Sequence, residues 1–464
     1  MRATPVIAVI DVGKTNKKLF LFNEQYRIVY EQSARFIETV DEDGDPCENI
    51  ESLRLSVYDA MRSVFQKKEF SIRAINFCTY GASLVYIDEE GNPLTPLYNY
   101  LKPYPQHLKK QFYDRYGGEE KFSRQTASPV LDSLNSGMQL YRIKYEKPEL
   151  FRKINYALHL PQYVSYLISG RACSDITSIG CHTNLWDFEK NDYHRWVHEE
   201  GLERVLAPIV PCDETFPANF PGNNYLVGIG LHDSSASLIP YLSHFHEPFV
   251  LISTGTWCIS LNPFNDAPLT AEELKQDCLC YLHFQRKPVK ASRLFAGQEH
   301  EDQVKRIADH FHQDPIKYRT AIFNPNTVSV LKERKQFVPV NEKASLASSV
   351  FSRRELTDFP DDLEAYHQLM MDIMECQKAS TGLVLKGTGT KRIFVDGGFS
   401  KNSIYMNLLA AAFPSVEVYA ASIPQATAMG AALAIHHSWN RNPIPGDLIG
   451  LQFYSHGINE RVDG

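Results

Sequence analysis

Val6-Ile7-Ala8-Val9-Ile10-Asp11-Val12-Gly13-Lys14-Thr15-Asn16 is the stretch from which the rest of the chain can be read. Val6 to Ile10 is an apolar, β-branched run of strand length, too short for a helix. Asp11 to Asn16 supplies turn chemistry, and Leu19-Phe20-Leu21-Phe22 then resumes the apolar pattern. Asn23 to Gln25 precede another strand-like stretch around Tyr26 to Tyr30. The chain therefore opens as a strand meander with a tight polar first corner.

The same grammar returns later. Phe249-Val250-Leu251-Ile252 is apolar, Ser253-Thr254-Gly255-Thr256 is a small polar turn, and Trp257-Cys258-Ile259-Ser260-Leu261 resumes. One such corner in each half predicts a duplicated architecture, two related domains facing each other. Between the corners, Ala74 to Cys78 and Leu84 to Ile87 read as strands, and residues 134–168 as largely helical. Arg392 to Val395 reads as a strand running into Asp396-Gly397-Gly398, followed by a helix over 403–412 and a strand over 416–419. Ser422 is the expected cap of a last helix, rich in small residues, over 426–435, and the final fifteen residues are polar enough to fray.

At 464 residues the chain is long enough for two or three cores. Its formal charge of −7 argues against a general nucleic-acid or acidic-membrane binder, which needs surplus Lys and Arg. The nine cysteines are scattered, and the pair Cys278-Leu279-Cys280 lacks the spacing of a zinc site, so reduced thiols in a cytoplasmic protein are expected. The short N-terminal apolar run stops at Asp11 and reads as neither a signal peptide nor a membrane span.

Four segments carry chemistry. Asp11-Val12-Gly13-Lys14-Thr15-Asn16 joins a carboxylate at a strand end to a Gly turn, suited to a metal's hydration shell and a phosphate chain, or simply to a hairpin. It is not a Walker A loop. Ser253-Thr254-Gly255-Thr256 is a second such corner, and a cleft between domains could close both around one phosphate chain. His232-Asp233-Ser234-Ser235 follows a strand, where Asp233 serves either as a base for a hydroxyl proton or as a helix N-cap. Asp396-Gly397-Gly398-Phe399-Ser400-Lys401-Asn402, with Pro424-Gln425-Ala426 and the small residues after it, allows close approach of a flat ligand. A dinucleotide site fails there because no Gly-x-Gly-x-x-Gly opens a helix.

In this order, the segments resemble the FGGY carbohydrate kinases of the actin/hexokinase/Hsp70-like superfamily. The rhamnulose and fuculose kinase branches look nearest, through Leu231-His232-Asp233-Ser234 and Thr254-Gly255-Thr256-Trp257. Leu158 to Arg171, followed by Ser174-Asp175-Ile176-Thr177, is similar to the family's mid-domain helix and its Gly-punctuated end. The resemblance implies an α/β fold of two RNase H-like domains with an interdomain cleft, residues 1–242 binding sugar and 243–464 binding nucleotide. It implies a ketose and ATP as small-molecule partners, Mg²⁺ as the metal, no nucleic acid or membrane, and a homodimer. Asp233 would be the catalytic base and Asp11 would hold Mg²⁺ through water. Lys14, Thr15, Asn16 and Thr256 would line the phosphates; Gly397, Gly398, Asn402 and Gln425 would border the adenosine; Gly81 and His232 would touch the sugar.

The sequence departs from the family's pattern where sugar should bind. Thr79-Tyr80-Gly81-Ala82-Ser83 ends in Ser83 where an acid is usual, and Tyr98-Asn99-Tyr100-Leu101-Lys102 replaces an Arg-Asp-x-Arg pattern. Phe399 stands where a third glycine is usual, to pack on adenine or narrow its pocket, and Gly297-Gln298-Glu299 lacks the usual aromatic. A catalytically silent sugar- or nucleotide-binding regulator is the alternative these changes leave open. A chaperone-like or actin-like ATPase and a sugar-responsive transcription factor fit less well, with no peptide-binding segment and no helix-turn-helix extension.

Overall fold

In the computed structural model, residues 3–14, 16–35, 38–222, 224–334 and 349–455 are described. Two seven-stranded sheets organise them. The first strand, Thr4–Val12, lies central in its sheet, and Val6 to Val9 are wholly buried, as a run apolar on both faces requires. It pairs antiparallel with Asn16–Asn23 across the predicted tight corner and parallel with Phe70–Thr79. The parallel neighbour needs a crossover, supplied by helix Ile50–Phe65, whose first turn is capped by the Asn49 side chain accepting from Ser52 N–H.

The second sheet repeats the plan. Phe249–Thr254 pairs antiparallel with Cys258–Asn262 and parallel with Arg392–Gly397, which pairs parallel with Glu417–Ser422. Each sheet thus has an antiparallel run, three strands in the first and four in the second, feeding parallel strands, and the two polar corners fall at corresponding strand ends.

Helices Asp233–His244 and Ala426–Ala434 pack where the lobes meet. A methyl group on Gly430 would fall 1.9 Å from the Ala236 carbonyl oxygen, so only glycine permits this approach. Buried Asn76 in strand Phe70–Thr79 donates to the Ala431 carbonyl at 2.7 Å and accepts from Gly230 N–H, tying the first sheet to the second lobe's helix. The edge strand Cys278–Leu282 is anchored on the first lobe, Leu282 N–H donating to the Gly180 carbonyl.

Several local readings are corrected. Strand Tyr156–His159 interrupts the expected helix over 134–168 because it pairs with Leu84–Ile87, giving that strand a partner outside the main sheet. Ser422 ends a strand instead of capping a helix; Gln425, at φ 54°, occupies the cap position. Gly450–Tyr454 does not fray but forms the sheet's edge strand against Glu417–Ser422, with residues 456–464 outside the described residues. Among the described residues no helix is long and apolar enough to cross a membrane.

Candidate active site

The first corner is closed by Gly13 N–H donating to the Asn16 carbonyl at 2.9 Å. Asp11 stands just before it, between Lys18 and Cys78 in the neighbouring strands, and Asn16 is exposed beyond it. Thr15 lies outside the described residues. The Lys14 ammonium is 2.7 Å from Glu48 and lies over the rings of Tyr80 and Tyr100, at 5.3 and 5.0 Å. Its charge therefore sits beside an aromatic pair and an acid that no motif had marked.

Asp233 is the first residue of helix Asp233–His244, immediately after the short strand Leu231–His232. Of the two sequence readings, a side-chain N-cap does not apply, since His232 holds the cap position. The Asp233 side chain is 36% exposed, and one oxygen accepts from Ser234 N–H at 2.6 Å. That leaves the carboxylate open to a ligand while fixing its direction. His232 lies beneath, its Nε2 3.2 Å from Asp233, buried so that its pKa falls and the neutral ring is favoured. Its backbone N–H donates to the Thr177 hydroxyl at 3.0 Å, and Thr177 is in turn held by buried Asp175. Gly81 packs directly on the His232 imidazole. Gly81, His232 and Asp233 are thus brought together.

On the second lobe, Thr254 joins the other corner to the glycine segment. Its hydroxyl donates to the Asp396 carbonyl at 2.6 Å and accepts from Phe399 N–H at 3.0 Å. Gly397 has φ +92°, and a methyl group there would meet the Thr254 carbonyl at 1.9 Å. At Gly398 and Gly255 a side chain would enter open space, so their bare backbone is available to a flat or extended ligand. Thr256 is exposed, its carbonyl held by Gln298 N–H at 3.1 Å. Gly297 allows that contact, since a methyl there would fall 1.8 Å from the Gly255 carbonyl oxygen. Asn402 caps helix Ser403–Ala412 through Tyr405 N–H and donates to the Tyr366 hydroxyl at 2.7 Å. Gln425 opens helix Ala426–Ala434 in a left-handed conformation that side chains rarely adopt. Phe399 stacks on Tyr405 with ring centres 4.6 Å apart and is 6% exposed, a core position that explains the missing third glycine.

Burial first, and then the like charge of Asp233, push the Asp11 carboxyl up to about 7, against smaller opposing effects from Cys78 and Lys18. Asp11 and Asp233 therefore share one electrostatic site although they come from opposite ends of the first lobe's sequence. Such a like-charge pair is relieved by a divalent cation, so the residues present fit one. Asp41, Asp43 and Asp45 also converge, but they surround the Lys102 ammonium, which already balances their charge.

Sequence reasoning missed Glu48, Tyr80 and Tyr100. Glu48 ends a three-residue strand, with no spacing or periodicity to mark it. The segment of Tyr80 is marked in the sequence by Gly81 and by its departure from the family's pattern, and that of Tyr100 by its departure alone.

The family description "FGGY family of carbohydrate kinases, N-terminal domain" matches residues 6–221, and "Carbohydrate kinase FGGY, C-terminal domain" matches residues 246–443. The chain belongs to the FGGY family of carbohydrate kinases. It is 20% identical to a rhamnulokinase of Halalkalibacterium halodurans over 38% of this chain and 39% of that protein. It is 22% identical to an L-fuculokinase of Escherichia coli over 54% of this chain and 55% of that protein. The matched region spans about half the length of these curated relatives or less. A carbohydrate kinase from Novosphingobium aromaticivorans shares the fold with a TM-score of 0.79, at 22% identity, covering 98% of this chain and 94% of that one.

Proposed function

We propose that this chain transfers the terminal phosphoryl group of ATP to a hydroxyl of a ketose, with Asp233 as the general base. The observation that carries the reading is the strand register: Phe70–Thr79 pairs Cys78 with Asp11 on one side and Thr79 with His232 on the other, so that Asp11 and Asp233 come to one strand end, with Asp233 exposed at the start of a helix. In-line phosphoryl transfer asks for little covalent chemistry from the protein: an acceptor oxygen relieved of its proton, a held phosphate chain and exclusion of water.

Asp233 takes the acceptor hydroxyl's proton, with His232 and Ser234 fixing its carboxylate. The phosphate chain runs between the two corners, along Asn16 and Thr256, and Lys14 adds positive charge from the first. Asp11 would hold Mg²⁺ through water; the ion, when bound, neutralises charge on the phosphates. Gly397, Gly398, Asn402 and Gln425 border the adenosine, and Gly81 and His232 the sugar. Relatives named for rhamnulose and fuculose support a ketose acceptor, and deoxyketoses in particular.

ADP release with Mg-ATP and a panel of L-rhamnulose, L-fuculose, D-xylulose, gluconate and glycerol tests the reading. Sugar-dependent ADP release together with a sugar phosphate by mass spectrometry is the expected result. ATP turnover indifferent to every acceptor would overturn it, and nucleotide binding without turnover would favour the silent regulator.

A further inference from the structure

Glu48 is 3% exposed, yet it is not a closed structural ion pair. Its Oε1 accepts from the Lys14 ammonium at 2.7 Å and from the Tyr80 hydroxyl at 2.8 Å. Its Oε2 is buried without a hydrogen-bond partner. A carboxylate oxygen kept from water without a donor is a standing penalty, and proteins retain such a group where a ligand supplies the donor. Buried Lys17, on strand Asn16–Asn23, also lies within the field of Glu48.

The cluster lies on the acceptor side of the site. Tyr80 immediately precedes Gly81, which packs on His232. Tyr100 meets Tyr80 edge-on with ring centres 5.9 Å apart, lies beneath the Lys14 ammonium, and its hydroxyl experiences the charges of both Asp233 and Glu48. An aromatic pair thus flanks the buried acid and its ammonium partner. That combination suits a sugar, whose C–H faces pack on rings while its hydroxyls donate to carboxylates.

We propose that Glu48 is an acceptor-specificity residue, its Oε2 accepting a hydrogen bond from a sugar hydroxyl other than the one Asp233 deprotonates. This rests on the kinase reading above. Tyr80 and Lys14 hold Oε1 and so aim Oε2; Tyr100 packs edge-on against Tyr80 beside them. A neutral polyhydroxylated acceptor supplies the missing donor. An acceptor with its own carboxylate at this end would meet Glu48 charge against charge.

The test uses the acceptor that the full-length protein phosphorylates fastest, together with its monodeoxy analogues at each carbon other than the phosphorylated one. Wild type should lose at least about tenfold in kcat/KM on one analogue, because a site built to accept from a hydroxyl rejects the compound lacking it. Glu48→Gln should keep its KM for ATP and distinguish that analogue from the parent by less than about twofold. Tyr80→Phe, which removes only the hydroxyl that aims Glu48, should reduce the same discrimination and serves if Glu48→Gln does not fold. Equal losses on every analogue in wild type and variant would overturn the proposal while leaving the kinase reading intact. Absence of turnover by wild type on any acceptor would overturn both.

Discussion

The α-carbon of Gly81 rests against the His232 imidazole so closely that a methyl group there would lie 2.8 Å from both Nε2 and Cδ2. The ring is buried, and the Cys181 sulfur would also crowd the same methyl at 3.2 Å. Gly81→Ala should therefore displace His232, and with it the Asp233 carboxylate that His232 contacts. We expect kcat/KM for the acceptor to fall by at least about tenfold while the KM for ATP changes little, as for a misplaced reacting group. Steady-state kinetics with each substrate varied in turn checks the split.

Gly430 makes a comparable close approach, this time between the lobes. A methyl group would fall 1.9 Å from the Ala236 carbonyl oxygen, a backbone atom that cannot rotate aside. Gly430→Ala should lower stability by about 1–3 kcal/mol, the ordinary cost of overpacking, through separation of helices Asp233–His244 and Ala426–Ala434. Thermal unfolding followed by circular dichroism would register this as a lower Tm.

Asp11 gives a pH dependence whose sign follows from its raised pKa. The folded protein holds the Asp11 proton up to about 7, whereas the unfolded chain releases it near the ordinary carboxyl value of 3.8. Between those values the folded state binds more protons, so the contribution is fully present below pH ~4 and is lost as pH rises through about 7. Asp11→Asn removes this penalty and should raise Tm relative to wild type at pH 8, with the advantage vanishing towards pH 4. Titrating wild type with Mg²⁺ at pH 8 should recover part of the same stabilisation. A variant no more stable at pH 8 than at pH 4 would show that Asp11 carries no such burden.

Thr177 ties the His232-Asp233 segment to the short helix Ile176–Ile179 through a single hydroxyl, which accepts from His232 N–H and donates to the Asp175 carboxylate. Thr177→Val preserves shape and leaves that buried amide without its partner, at a cost of about 1–3 kcal/mol. Thr177→Ser keeps the hydroxyl and should recover most of the loss. Comparing both variants by denaturant unfolding and by kcat separates the hydrogen bond from simple packing.

What the sequence disclosed and what it hid follow one physical rule. Strands such as Thr4–Val12 and Phe249–Thr254 were legible because burial on both faces writes a continuous apolar run. Helix Ser403–Ala412 was found at its bounds, while the capping role of Asn402 just before it emerged only from the structure. Tyr156–His159 was hidden because four apolar residues between helices carry no period, and only pairing with Leu84–Ile87 makes them a strand. At the site, Asp11, His232 and Asp233 were legible as polar groups interrupting strand ends. Glu48 was not, since its importance arises from contacts with Lys14 and Tyr80, set by how short strands lie across the first lobe.

The central claim is that Asp233 removes the acceptor's proton. Asp233→Asn keeps the size of the side chain and its acceptor for Ser234 N–H but cannot take a proton. Its sugar phosphorylation should fall by on the order of a hundredfold or more, with ATP affinity by calorimetry unchanged. Wild-type turnover in this variant, on the acceptor the native enzyme prefers, would contradict the account.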